Sequence, residues 1–215
     1  MKDIEQVLVV QRSVFDQMGA FQGIAPASEG YLEQLLSPAV LRFIPRPQAE
    51  ADPGYKQLIP YVIMTHGGRY LSYVRGRRAG EQRLVGLRSI GIGGHINPAD
   101  EMGLFDKSYR EAYFAAVARE VAEEVVVASE HTDRIVAFLN DDSTEVGRVH
   151  LGVVHFWELS GPDVRKREQM ITELRFMSPA ELLAVKDTME SWSSLCVEHL
   201  DELAATSRTA GGSGL

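Results

Sequence analysis

A single cysteine, Cys196, stands among 215 residues. That excludes an internal disulfide and any metal site built on several thiolates, and it fits a reducing compartment. No uninterrupted apolar run approaches the roughly 18–20 residues that span a bilayer, and the opening Met1-Lys2-Asp3-Ile4-Glu5-Gln6 lacks the basic-then-apolar order of a signal peptide. The expectation is a cytoplasmic protein with no membrane partner. Positive charge is also in deficit: 22 Lys and Arg face 30 Asp and Glu, a net charge of −8. This disfavours a nucleic acid duplex as partner but leaves room for a local basic pocket that takes a small phosphate ligand. Internal repeats are absent too. With 45% hydrophobic and 24% charged residues the composition is that of a globular protein, and the length suggests one domain over 1–205. The Gly/Ser-rich segment 206–215 reads as a flexible tail.

What is present is a mixture of strand and helix signals. Val7-Leu8-Val9-Val10 suits a buried strand. Segment 24–56 looks like an elaboration on a core, with a short helix near Tyr31–Leu36 and with Pro45, Pro47 and Pro53 breaking any regular element after it. Leu58–Met64 and Tyr70–Val74 are β-branched and aromatic, and Gly67-Gly68 between them suits a tight hairpin. The run from Arg83 ends in Gly91-Ile92-Gly93-Gly94-His95-Ile96, where glycine permits close backbone approach. Ser108, three residues before Glu111, makes a capping-box spacing that opens a helix over 109–126. Strands over Arg134–Leu139 and Val149–Leu159 follow. Ser178-Pro179-Ala180-Glu181 is a second capping box, and Glu190–Ala205 is amphipathic.

The chemistry lies on the 109–126 helix. Positions three and four apart share a helix face, so Glu120, Glu123 and Glu124 crowd three carboxylates into one patch. Like charges so close repel, and solvent, a raised pKa, a basic neighbour or a hard divalent cation can relieve them. A solvated acidic face is the plain alternative.

The wider pattern is Glu111, seven residues, Arg119-Glu120, Val121, one residue, Glu123-Glu124, with Val127 beyond. It resembles the Nudix box, G-x5-E-x7-R-E-U-x-E-E-x-G-U with U aliphatic. Two positions depart from it. Phe105 stands where the box has its first glycine; taking Gly94 instead leaves 16 intervening residues in place of 5, which implies an 11-residue loop insertion around 95–107. Val126 replaces the second glycine, the residue that often ends a helix. Lys56–Tyr61 and Ser89–Asn97 also look like a bacterial branch of phosphoesterases within that family.

The resemblance implies a three-layer α/β/α sandwich with a mixed β-sheet, and hydrolysis of a diphosphate bond in a nucleoside diphosphate linked to another moiety. In that reading Glu120, Glu123 and Glu124 hold Mg²⁺ or Mn²⁺ with the Gly93-Gly94 carbonyls nearby, so that Gly94 is a metal contact. Glu111 and Arg119 orient the helix. Glu145, on a polar connection, is the candidate for general base or additional ligand, with Glu120 the competing base and an ordinary turn acid the plain reading of Glu145. Many members of the family are dimers, which leaves a homodimer as an open expectation.

Other residues divide between a substrate role and a plain one. Arg75, Arg77, Arg78, Arg83 and Arg88 form a basic cluster from which one or two could hold a distal phosphate; Arg75, Arg83 and Arg88 are the candidates, the rest being solvated. His95 follows the glycines and is a further substrate candidate. Arg46 and Glu50 in the insert are weaker ones. His150 and His155 lie on an apolar strand, their spacing matches no metal motif, and they read as structural. Tyr61, Trp157 and Trp192 read as core.

Two rival functions share the fold. One is a non-catalytic nucleotide-binding or regulatory module, which could dispense with the three glutamates. The other is an enzyme like isopentenyl diphosphate isomerase, which needs a catalytic cysteine; Cys196, inside a C-terminal helix, is poorly placed for that.

Overall fold

The apolar run at the N-terminus forms strand β1 (Gln6–Gln11) in the computed structural model, which describes residues 4–76, 84–101, 109–167 and 171–209. Helix α1 (Arg12–Gln17), strand β2 (Gly23–Pro26) and helix α2 (Glu29–Leu35) come next. The proline-rich stretch is more regular than its prolines suggest. Strand β3 (Leu41–Pro45) runs into helix α3 (Arg46–Ala51), with Pro47 in the first turn, where an N–H has no helical partner to lose. Strands β4 (Tyr55–His66) and β5 (Arg69–Arg75) form the expected hairpin, pairing Thr65 with Tyr70 and His66 with Arg69. Gly67 and Gly68 turn it at φ +55° and +73°, the double positive φ that a two-residue turn of this hand requires.

Short strands β6 (Arg88–Ser89) and β7 (Gly91–Gly93) precede a 3-10 turn at Pro98–Glu101. The box helix is α4 (Tyr109–Glu124). The remaining elements are β8 (Val125–Val127), β9 (His131–Asn140), α5 (Glu145–Arg148), β10 (His150–Leu159), β11 (Val164–Lys166), β12 (Ile171–Met177), α6 (Pro179–Ala184), α7 (Ser191–Glu198) and α8 (Leu200–Thr209). Strands β12, β5, β4, β10, β9 and β2 neighbour one another in that order in a large mixed sheet, and β8 pairs separately with β11. No helix among the described residues is long and apolar enough to cross a membrane.

Three expectations shift. Helix α4 stops at Glu124 because the β-branched run Val125-Val126-Val127 continues as a strand paired with Val164–Lys166. The amphipathic C-terminal segment is two helices, and α8 carries on through Thr209, into the stretch expected to be a tail. The polar connection before β10 contains a helical turn, α5, capped by the Thr144 side chain, which accepts from Gly147 N–H. Ser108, Arg77, Arg78, Arg83 and Phe105 lie outside the described residues.

The chain divides into two compact units, one of Met1–Pro60, Gly93–Arg119 and Ala137–Val153, the other of Tyr61–Ile92, Glu120–Val136 and Val154–Leu215. In the first unit β1 pairs antiparallel with β3 and with the start of β4, and Val7, Val9, Ile44 and Ala49 pack into an apolar cluster. Within this unit lies a fully buried lysine. Lys56 donates to Asn140 Oδ1 (2.5 Å), Asp142 Oδ1 (2.6 Å), Gly147 O (3.0 Å) and His150 O (3.4 Å). Burial pulls its pKa down, and the attraction of Asp142 only partly offsets that. For Asp142 the balance reverses: burial would raise its pKa, but the Lys56 hydrogen bond and charge, with help from Asn140 and Arg12, hold it below the usual value.

In the second unit β5 pairs with β12 on one side and β6 on the other. The β12 register shifts between Thr172 and Arg175, where Glu173 takes φ +51°. Ser178 caps α6 with both hydrogen bonds of the capping box. The box read from sequence is therefore formed.

Candidate active site

Helix α4 buries Ala112, Tyr113, Ala116, Val117 and Val121, the apolar stripe that fixes its rotation. Its other face carries the charged positions. Glu111 and Glu123 are exposed, and Glu120 and Glu124 are half-buried. Arg167 supplies the helix end that a glycine would otherwise make: its N–H donates to Glu124 O (2.9 Å) and its guanidinium to Ala122 O (2.6 Å). Val126 is tolerated for this reason, since the orphan carbonyls of the last turn are already met.

In the second unit the three box carboxylates share a field. The Glu124 pKa is pushed up to about 7, first by burial and then by the negative charges of Glu120, Glu190 and Glu123, with Arg75 pulling the other way. Arg75 itself stays charged: burial works against it, but Tyr73, Glu190 and Glu124 more than compensate. Arg75 Nε donates to Glu190 Oε2 at 2.9 Å.

Glu190, at the N-cap of α7, is only 4% exposed. Its Oε1 accepts from Ser89 Oγ (2.6 Å), Tyr61 Oη (3.1 Å) and Ser193 Oγ (3.2 Å). The sequence offered no signal for this acid beyond its place at the start of an amphipathic segment. The same cluster explains a glycine. A Cβ on Gly91 would lie 2.2 Å from the Tyr61 ring, and the Gly91 carbonyl accepts from Tyr73 Oη at 2.8 Å.

In the first unit, Arg119 is fixed to the segment after the glycine pair. Its Nε and Nη2 donate to the two oxygens of Asp100 (2.7 and 2.9 Å), and Nη2 also reaches His95 O (2.9 Å). Asp100 is buried and accepts from Asn97 N–H (2.8 Å), so the fork is rigid. Asp100 went unnoticed in sequence because it falls in the segment that reads as an insertion. A Cβ on Gly93 would lie 2.4 Å from Pro60 O, which is why the β7 backbone needs glycine there. Gly94 follows directly, half-buried. Glu145 is exposed in the first turn of α5.

Several candidates have settled partners. Arg88 is buried, donating to Ser72 Oγ (3.2 Å), Met177 Sδ (3.8 Å) and Glu173 Oε2 (2.5 Å). Tyr61 and Trp157 are buried, Tyr61 meeting the Trp192 ring edge-on at 5.6 Å. His155 is buried with Nδ1 at 2.8 Å from Asp133 Oδ1. Cys196 is fully buried and burial pushes its thiol far up, which suits packing rather than nucleophilic chemistry. The sequence makes His95 a substrate candidate and His150 a structural residue; folding brings both to Glu50, with ligand atoms of all three within 4.8 Å of one another.

No family model matches the sequence. The chain is 30% identical over 205 residues to Protein YmaB of Bacillus subtilis (strain 168), covering 92% of this chain and 98% of that protein. It is also 30% identical to the solved structure of Tm1382, which carries a provisional designation as a Nudix hydrolase. The TM-score is 0.76, over 91% of this chain and 98% of that one. DR0079 from Deinococcus radiodurans shares the fold at 16% identity and TM-score 0.53, over 74% of this chain and 91% of its own. Likeness along nearly the full length of both chains joins the box on α4 to the rest of the fold: the chain belongs to the Nudix hydrolase family.

Proposed function

We propose that the protein is a divalent-metal-dependent hydrolase cleaving a phosphoanhydride bond in a nucleoside diphosphate linked to another moiety. The observation that supports this most is the clustering of Glu120, Glu123 and Glu124 at the C-terminal end of α4, with Glu120 and Glu124 half-buried, where burial and the charges of Glu120, Glu190 and Glu123 together raise the Glu124 pKa. The donor set fits a hard cation: all carboxylate oxygens, with repulsion that added positive charge relieves. Glu120, Glu123 and Glu124 would hold Mg²⁺ or Mn²⁺, and when bound the ion neutralises phosphate oxygens and makes water acidic enough to deprotonate near neutral pH.

The chain's own residues supply the rest. Arg75 keeps a permanent positive charge beside Glu124, suited to a phosphate oxygen of the substrate. Arg119, held by Asp100 and the His95 carbonyl, fixes the turn of α4 that presents Glu120. Glu120 takes the proton of the attacking water in the favoured reading, and Glu145 is the other candidate base. Arg88 is a weaker substrate contact in this reading, since it is buried in its own ion pair with Glu173.

The test is a substrate panel of dinucleotides, nucleotide sugars, ADP-ribose and nucleoside triphosphates, assayed for release of a mononucleotide or phosphate with and without Mg²⁺. The reading expects metal-dependent release from at least one diphosphate-linked compound. Nucleotide binding with no turnover would favour the regulatory-module reading instead.

A further inference from the structure

We infer that Glu50, His95 and His150 form a binding site for a borderline divalent transition-metal ion, of which Zn²⁺ is the type, separate in its ligands from the acidic cluster on α4. All three residues belong to the first unit, and one ligand atom of each lies within 4.8 Å of the others. Glu50 comes from α3, His95 from the segment after β7 and His150 from the first position of β10, so three parts of the chain distant in sequence converge on one point.

The ligand chemistry discriminates among ions. Two imidazoles and one carboxylate make a donor set that Zn²⁺ and its neighbours prefer and that Mg²⁺ and Ca²⁺, which take oxygen, do not. The separations are near what coordination needs. His95 Nε2 lies 3.9 Å from Glu50 Oε1, and the two imidazole rings are 5.7 Å apart at their centroids. Ligands at zinc bond lengths on a tetrahedron stand about 3.3 Å apart, so small side-chain rotations close the site.

The surroundings orient the ligands as metal-bound histidines are usually oriented. His150 Nδ1 lies 2.6 Å from Val146 O. A carbonyl can only accept, so Nδ1 carries the proton and the neutral ring presents its lone pair at Nε2. The His95 backbone is fixed by Arg119, which donates to its carbonyl at 2.9 Å, and the Glu50 carboxylate faces Arg46 Nε at 3.5 Å. His150 is buried and the other two are half-buried, and His95 Nε2, the nitrogen that faces Glu50, is itself sheltered from solvent. Three protein ligands leave a further position for water.

The experiment uses the full chain, stripped with a chelator and desalted, and titrates Zn²⁺ against a chromophoric competitor and Co²⁺ by its visible absorption. A Glu120→Gln/Glu123→Gln/Glu124→Gln background removes the acidic cluster, so that this site is read independently of the proposed hydrolase site. The expected result is that this background keeps one Zn²⁺ equivalent and a Co²⁺ band. Glu50→Gln and His95→Gln, added singly, should each weaken Zn²⁺ by tenfold or more, and excess Mg²⁺ should not displace it. His150→Gln should do the same; if its circular dichroism shows that it does not fold, the two half-buried positions decide. Loss of the Zn²⁺ equivalent in the triple background, or unchanged affinity in Glu50→Gln and His95→Gln, overturns the assignment and leaves a hydrogen-bonded cluster only.

Discussion

Replacing Glu190 by glutamine removes one charge from a buried network while keeping its shape. In the native protein Oε2 accepts from Arg75 Nε, and Oε1 accepts from the hydroxyls of Ser89, Tyr61 and Ser193. A glutamine has one acceptor oxygen. If that oxygen stays with the three hydroxyls, its NH₂ faces the Arg75 N–H, donor against donor. The Arg75 side chain is only 14% exposed and Glu190's only 5%, so solvent screens the loss weakly. Breaking a buried pair by removing one partner costs about 3–5 kcal/mol, and the lower end applies here because Glu124 also faces Arg75 and can take up part of its charge. A loss of about 3 kcal/mol in a chain of this length lowers the melting temperature by roughly 6–12 °C. Urea and thermal unfolding of Glu190→Gln measure it, with Lys186→Ala, which breaks the exposed pair to Glu198, as the control expected to move little. A midpoint for Glu190→Gln no lower than that of the control would refute the reasoning about the network.

Gly93→Ala should destabilise by about 2 kcal/mol or more, because its Cβ would meet Pro60 backbone oxygen at 2.4 Å. Gly30→Ala, whose Cβ meets nothing within 4 Å in α2, should leave stability unchanged or raise it; equal effects at both sites in urea denaturation would contradict the steric account. The lowered pKa of Asp142 means that its contribution is complete above the usual carboxylate value and is lost as pH falls through the depressed one. Asp142→Asn should therefore flatten the loss of stability below about pH 4, and an acid limb as steep as wild type in pH-dependent unfolding would refute that. For the base, Glu120→Gln and Glu145→Gln are compared by pH–rate profile at saturating Mg²⁺. The favoured reading expects the acid limb to vanish with Glu120 and persist without Glu145, and the reverse pattern transfers the role.

Much of this was legible in the sequence where local physics decides. The β1 strand, the Gly67-Gly68 hairpin, the Ser178 capping box and the body of α4 each follow from periodicity, turn chemistry or caps within a few residues. The end of α4 was not, because its stop depends on Arg167, more than forty positions downstream, and on a strand partner at Val164–Lys166. Helix α3 was hidden because prolines were read as breakers, whereas Pro47 stands where a helix tolerates one. The three box carboxylates were visible from their spacing. Glu190, Asp100 and the Glu50–His95–His150 convergence were not, since each depends on contacts between segments far apart in the chain.

The Mg²⁺ dependence of turnover tests the account's central claim most directly. Initial rates on the best diphosphate-linked substrate are measured across a Mg²⁺ titration for wild type, Glu123→Gln and Glu124→Gln, with circular dichroism to verify folding. The account predicts saturable Mg²⁺ activation in wild type and a loss of about a hundredfold or more in both variants, with Mg²⁺ half-saturation moved upward. Folded variants that keep wild-type rates and wild-type Mg²⁺ dependence would contradict it.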